Sequence, residues 1–379
     1  MTALQIVPSI SAQLAEASYN LRLTTIKSVQ EAIFDVSPEL ADMCDASTGT
    51  SLTGKTGLGW GQATSFGFVV AGKGAWQGHY FVSTRGTATF CDGLTDAVAA
   101  MEPGPGGHLV HVGFHRCAKS MITQIIETLR TKNPSRIHCI GHSLGGAVAN
   151  LVAAYLDASV GGVSLYTFGA PRVGQNSFAT DLTWSLGEDA INRAYNIADP
   201  VPMIPMFPFF HAPYGCEGAL VETSGLVRAS AHSLATYRPA VAGSSWQSLK
   251  RRAMTTPSSI DQMMDAAARW VRIPGSGVAF HLLGKILHGL LSGTGLVLGT
   301  AATAGLTLLD QVAVALFSKV EVSPENKERV SRFLDLTADY VALPILKGMS
   351  VTVAFLRYML GKLWDGIRHP AVQALAATF

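Results

Sequence analysis

The sequence predicts an α/β fold, a mostly parallel sheet with flanking helices, followed by a C-terminal helical region. Three observations carry this. Short β-branched or aromatic runs at residues 66–70, 80–84, 136–140 and 162–168 alternate with helically spaced stretches at 120–131 and 145–155. That alternation builds a parallel sheet covered on its faces. Past Tyr237 the strand signals stop, and the remaining sequence is helical in character. Finally, 48% of the 379 residues are hydrophobic and only 14% charged, against about 25% charged in an ordinary soluble domain. The chain has more apolar surface than one core needs, so something must cover it.

Taken in order, residues 1–50 read as an N-terminal helical layer. Leu14, Ala15, Tyr19 and Leu21, then Ile26, Val29, Ile33 and Phe34, fall near helical spacing. The Gly, Ser and Thr of residues 45–62 mark a loop. Residues 51–245 form the α/β core. Residues 240–259 read as a linker carrying a basic cluster, Lys250, Arg251 and Arg252. Residues 246–379 form an apolar helical region serving lipid access or membrane association.

Within that last region, residues 286–309 hold His288 as their one ionisable group and are long enough to span a bilayer. Gly289 and Gly293, Gly295 and Gly299, and Ala301 and Gly305 stand four apart, a spacing that lets helices approach closely. Residues 341–364 are interrupted by Pro344, Lys347, Arg357 and Lys362, which suits a surface-lying helix better. The opposing expectation is a helical hairpin buried against the core.

The charge balance is uneven: residues 250–379 carry 14 Lys and Arg against 9 Asp and Glu, within a total of +2. A near-neutral chain argues against nucleic acid as partner, and the apolar content excludes intrinsic disorder. Cys44, Cys91, Cys117, Cys139 and Cys216 stand in no metal-like spacing and read as free core thiols. The N-terminal stretch lacks the basic start and apolar run of a secretory signal peptide. The expectation is therefore a chain that is cytoplasmic at synthesis and leaves the cell, if it does, by another route.

The chemistry sits where the run RIHCI enters Gly141-His142-Ser143-Leu144-Gly145, followed by a helical stretch. A strand, G-x-S-x-G and a helix make a nucleophile elbow, whose tight turn leaves no room for side chains at the two glycines. Ser143 is then the nucleophile, and the N–H of Leu144 points where an oxyanion forms. Serine needs a base, and the base an orienting acid, in the chain order serine, acid, histidine. Asp199 follows the strand-like run 193–197, with Pro200 and Pro202 fixing its loop. Of the histidines beyond it, His232 is favoured over His211, because the longer interval lets the chain return over the sheet.

These residues resemble the class 3 lipases, the α/β-hydrolase group that includes the fungal triacylglycerol lipases. The matching stretches are FGFVVAG (66–72), FVSTRGT (81–87) with Asp92 and Asp96, HVGFHRCAKS (111–120), IGHSLGGAVA (140–149), YTFGAPRVG (166–174), NIADPVPMIP (196–205) and AHSLATY (231–237). The resemblance implies an α/β-hydrolase core with Ser143, Asp199 and His232 as catalytic triad and His211 outside it. It also implies Thr87 as a second oxyanion donor beside Leu144. Gly93 stands where the family often has Trp, and residues 91–107 replace the amphipathic lid, with Leu94, Val98, Ala99 and Met101 able to form one short apolar turn.

The expected function is a serine hydrolase cleaving carboxylic esters of lipids, phospholipid before triacylglycerol, with no cofactor and no metal. A lipase-like core without a signal peptide is also similar to antibacterial lipase effectors exported by contact-dependent secretion systems. Such effectors imply a lipid surface and a neutralising immunity protein as partners. Two alternatives stand beside it: a membrane-inserting pore former that uses a lipase-like domain to bind lipid, and an esterase for soluble esters.

Overall fold

The computed structural model describes residues 4–21, 28–55, 63–86, 101–222, 225–253, 257–292, 307–344 and 350–377. Three helices open the chain: α1 (Pro8–Asn20), α2 (Val29–Phe34) and α3 (Pro38–Met43). Proline in the first turn starts α1 and α3, where a missing N–H costs nothing. A capping box of Ser28 and Glu31 starts α2. The helices end at Met43, short of residue 50, because β1 (Cys44–Lys55) begins at once. This corrects the loop expected over 45–62 as far as Lys55; residues 56–62 lie outside the described residues. Thr48, Thr50 and Thr53 are β-branched and suit a pleated edge strand, whose outward face tolerates the Gly and Ser that suggested a loop.

The sheet continues with β2 (Ala63–Gly72), β3 (His79–Thr84), β6 (Arg136–His142), β7 (Val163–Phe168), β8 (Ile191–Asn196) and β9 (Ala219–Glu222), in the order β1-β2-β3-β6-β7-β8-β9. The first two pairings are antiparallel and the other four parallel. A small hairpin of β4 (Met101–Pro103) and β5 (Leu109–His111) stands apart. The long connections are helices α4 (Val112–Arg130), α5 (Leu144–Ser159) and α6 (Asn176–Leu186). This is the mostly parallel α/β core that the sequence predicts, with helices on both faces.

Alternate residues of each strand feed two separate cores. Phe81, Ile140, Tyr166 and Phe168 face α1–α3, together with α7 (Leu234–Val241) and α8 (Trp246–Arg251). Val82, Ile137, Cys139, Leu165 and Tyr195 face α4–α6. The second core runs without a break into α9 (Ile260–Ala268), α10 (Gly277–Leu291), α11 (Leu308–Val322), α12 (Pro324–Tyr340) and α13 (Val353–Ala377). The apolar excess of the C-terminal third is thus spent on one face of the sheet core: Leu283, Ile286, Leu316, Phe333 and Leu363 are all fully buried.

Two features depart from the sequence expectations. The supposed linker 240–259 contains α8, whose Trp246 is buried and donates from Nε1 to the Ile6 carbonyl at 2.8 Å. A buried aromatic with a satisfied N–H anchors a short helix that periodicity over six residues does not reveal. The apolar run 286–309 does not continue as one helix, since α10 ends at Leu291 with Ser292 in an extended cap. A capping box of Thr307 and Asp310 starts α11. Among the described residues no helix is long and apolar enough to cross a membrane. Gly293, Gly295, Gly299, Ala301 and Gly305 lie outside the described residues, as does Cys91. Cys44, Cys117 and Cys139 are buried thiols, whereas Cys216 is half-exposed on a loop and not in the core.

Burial leaves a pH signature. His138, His281 and His288 are pushed down to about 3, first by burial and then by neighbouring cationic groups. In the unfolded chain each titrates near 6.5, so below that pH the unfolded state binds protons that the native state refuses. Stability is therefore full above pH ~6.5 and falls as the pH drops toward 3, by up to about 1.4 kcal/mol per pH unit for each imidazole. Urea midpoints in phosphate-free buffer should fall from pH 7.5 to pH 5; a flat profile there would show that these rings are not held neutral.

Candidate active site

β6 delivers Ser143 to the carboxyl end of the sheet. Ser143 has φ 59° and ψ −135°, a left-handed conformation unusual for a residue with a side chain. Such strain costs about 1–3 kcal/mol and persists only where the surroundings enforce it. Here the enforcement is the close approach of strand and helix. A Cβ on Gly141 would lie 2.4 Å from the Gly145 carbonyl, and one on Gly145 would lie 2.2 Å from the Thr84 carbonyl oxygen. Thr84 also donates from Oγ1 to the Gly145 carbonyl at 2.7 Å. Gly145→Ala should therefore lower stability by about 3 kcal/mol, the upper part of the range for overpacking, because the atoms met are backbone and cannot swing away. A urea midpoint equal to that of the wild type would refute this crowding.

Asp199 follows β8. Its Oδ1 accepts the Val201 N–H at 2.9 Å, the turn expected from Asp before Pro. The Arg228 N–H donates to the Ala198 carbonyl at 3.0 Å, bringing the turn that carries His232 back to the end of β8. There His232 Nδ1 stands 2.9 Å from Asp199 Oδ2, and Nε2 stands 2.8 Å from Ser143 Oγ. All three side chains are fully buried. A carboxylate only accepts, so Nδ1 carries the proton and Nε2 is left to accept from the serine hydroxyl. This arrangement can draw a proton from Ser143 while Asp199 stabilises the imidazolium that forms. Leu144 is the first residue of α5, so its N–H belongs to the open first turn of that helix.

His211 is not in this chain of bonds. It is half-buried, and its Nε2 donates to the Pro202 carbonyl at 2.8 Å. Thr87, Asp92, Asp96, Gly93, Leu94, Val98 and Ala99 lie outside the described residues. Among the described residues no group of three or more His, Cys, Asp or Glu is placed to hold a metal.

Several supporting residues escaped the sequence reading. The Tyr237 hydroxyl donates to Asp199 Oδ2 at 2.7 Å and accepts the Asn196 N–H at 3.1 Å. Gly169 has φ 57°, and a Cβ there would lie 2.8 Å from Asp199 Oδ2 and 3.1 Å from His232 Nδ1. Only glycine lets the backbone after β7 lie against the Asp–His bond. On the other side, His142 Nε2 donates to the His232 carbonyl at 2.7 Å, so its Nδ1 accepts from Tyr19 at 2.8 Å. Tyr19 accepts the Gly86 N–H at 3.2 Å. Burial holds His142 well below its usual pKa, with the neighbouring His232 adding to the effect, which keeps this tautomer neutral. Helix α1 is therefore tied to the turn carrying His232 and to the strand end before residue 87. The stretches YTFGAPRVG and AHSLATY contain Gly169 and Tyr237, but spacing alone gives neither role.

The C-terminal region reaches the site as well. Helix α13 packs against the turn at Ala229–His232 and against the turn at Val201–Met203, the two loops that carry the base and follow the acid.

Residues 81–209 match the family model described as lipase (class 3). A secreted mono- and diacylglycerol lipase 1 from Fusarium solani is 38% identical over 104 residues, covering 26% of this chain and 31% of that protein. Toxin TseL from Vibrio cholerae is 35% identical over 102 residues, covering 26% of this chain and 15% of that protein. The matched part is thus under a third of either relative's length. The crystal structure of a mono- and diacylglycerol lipase from Aspergillus oryzae aligns over 54% of this chain and 76% of that one, with 26% identity and a TM-score of 0.42.

Proposed function

We propose that the protein is a serine hydrolase of lipid carboxylic esters, from the buried Ser143, Asp199 and His232 and from the likeness of residues 81–209, which hold the first two, to the class 3 lipase model. The observation that carries this is the unbroken hydrogen-bond chain from Ser143 Oγ through His232 to Asp199 at a strained elbow. His232 takes the Ser143 proton as the hydroxyl attacks the ester carbonyl. The N–H of Leu144, with that of Thr87, holds the tetrahedral oxyanion. His232 then protonates the leaving alcohol, and water repeats the cycle to free the fatty acid.

Phospholipid is the proposed substrate class, ahead of glycerides, because the basic, apolar C-terminal third suits an anionic bilayer. Since all three side chains are buried and α13 packs over their loops, substrate entry in this reading requires the C-terminal helices to shift at the lipid surface. Delivery into a competing cell, and a dedicated neutralising partner, belong to the same proposal. They are supported by the likeness to a protein named as a toxin.

The test is product analysis on vesicles and emulsions of phospholipids, lysophospholipids and mono-, di- and triacylglycerols, with wild type and Ser143→Ala. Fatty acid released from phospholipid by the wild type alone supports the full reading. Release from glycerides alone moves the substrate class, and release from none overturns the hydrolase assignment. Membrane damage that persists in Ser143→Ala marks a pore former instead.

A further inference from the structure

A cavity of about 300 Å³ opens between β8, the loop 210–217 and helix α10. Three cationic side chains line it. Arg172 and Arg193 come from the sheet core and Lys285 from α10. Arg193 is only 7% exposed and lies over the Tyr195 ring, 4.7 Å from its centre. Its Nε has no hydrogen-bond partner among the described residues. Arg172 donates from Nη1 to the carbonyls of Met203 and Pro205, which orient it without supplying a full negative charge. Among the described residues neither arginine has a carboxylate at ion-pair distance. Glu217 is the one acidic residue lining the cavity, and it pairs with Lys285.

His211, His281 and His288 complete the wall. His281 Nε2 stands 3.9 Å from Glu217, too far for a hydrogen bond, and has no partner among the described residues. Burial, reinforced by the arginine charges, holds His281 and His288 down to about 3, so these rings stay neutral and each keeps an N–H to offer. The cavity thus gathers three cations against one carboxylate, together with two buried polar atoms that bond to nothing. Buried guanidinium without a counter-charge is costly, and an anion seated among these groups removes that cost.

We infer that this cavity binds a phosphate group, free or carried by a phosphate ester, between the sheet core and helix α10. Two guanidinium forks and an ammonium match a tetrahedral oxyanion that accepts several bonds at once. The volume exceeds what a halide fills and falls at the small end of ligand pockets. None of Ser143, Asp199 and His232 lines the cavity. The site is therefore separate from the triad, and the inference does not depend on the reaction that the triad performs. Bound phosphate would join Arg193 on β8 to Lys285 on α10, clamping the C-terminal helices to the core.

The test uses the full chain in phosphate-free buffer, with inorganic phosphate as probe and chloride at matched ionic strength as control. Titration calorimetry should show saturable binding, and a hundredfold excess over Kd should raise the Tm by about 3 °C. Arg193→Met should weaken phosphate binding at least about tenfold. Because Arg193 is buried and that variant can misfold, Lys285→Gln at the half-exposed wall serves as the second probe. It should also weaken binding, since it removes one cation and leaves the Glu217 charge facing the anion. Competition separates the two sources. If phosphatidylglycerol vesicles displace phosphate where phosphatidylcholine vesicles do not, a lipid headgroup is the occupant; if neither competes, the occupant is free phosphate. No saturable binding on the order of 10 mM phosphate, or equal affinity in folded Lys285→Gln, overturns the inference.

Discussion

Ser143→Ala should abolish lipid ester hydrolysis, with turnover falling on the order of 10⁶-fold while the fold is retained. The size follows from the role: the serine oxygen forms the bond to the acyl carbon, and among the described residues no other hydroxyl stands at hydrogen-bond distance from His232 Nε2 to replace it. What remains is the modest acceleration that binding and oxyanion donors give a water attack. The substitution removes one buried hydroxyl and keeps the backbone at φ 59°, so the unfolding free energy should change by no more than about 1–2 kcal/mol. Fatty-acid release measured beside urea unfolding checks both parts. Near-wild-type turnover in a folded variant would remove Ser143 from the mechanism.

The second large effect is expected of Asp199→Asn, a loss of about 10⁴ in kcat with geometry preserved. Asp199 Oδ2 accepts from both His232 Nδ1 and the Tyr237 hydroxyl, and Oδ1 accepts from Val201. An amide has one oxygen and one NH₂, so it cannot accept on both sides. If its NH₂ faces His232, the ring must turn its Nδ1 lone pair to it and carry the proton on Nε2. Nε2 then cannot accept from Ser143, and the imidazolium of the transition state loses its counter-charge. The diagnostic reading is kcat against KM: the loss should fall on kcat, because Asp199 acts through His232, whose Nδ1 its Oδ2 holds at 2.9 Å. An equal loss from a KM increase alone would contradict the orienting role.

Much of the core was legible because its signals are local. Strand, Gly141-x-Ser143-x-Gly145 and helix follow from chain geometry within ten residues, and Asp199 before Pro200 declares a turn after a strand. The N-terminal helical layer was legible from apolar spacing. β1 was not, because an edge strand has one solvated side and its Thr and Ser residues look like those of a loop. Helix α8 was missed because it is short and its Trp246 finds its hydrogen-bond partner at Ile6, 240 positions away.

The site divides in the same way. The elbow, the turn after Asp199 and the apolar, basic character of the last third can be read along the chain, since each depends on near neighbours in it. Folding alone reveals that Tyr237 and Gly169 brace the Asp199–His232 bond, that His142 and Tyr19 tie α1 to it, and that the C-terminal helices share one core with the sheet. It also decided that Arg172, Arg193 and Lys285 meet in one cavity. These contacts join residues far apart in sequence, and hydrogen bonds and charges act over a few ångströms in space, so the order of residues carries no mark of them.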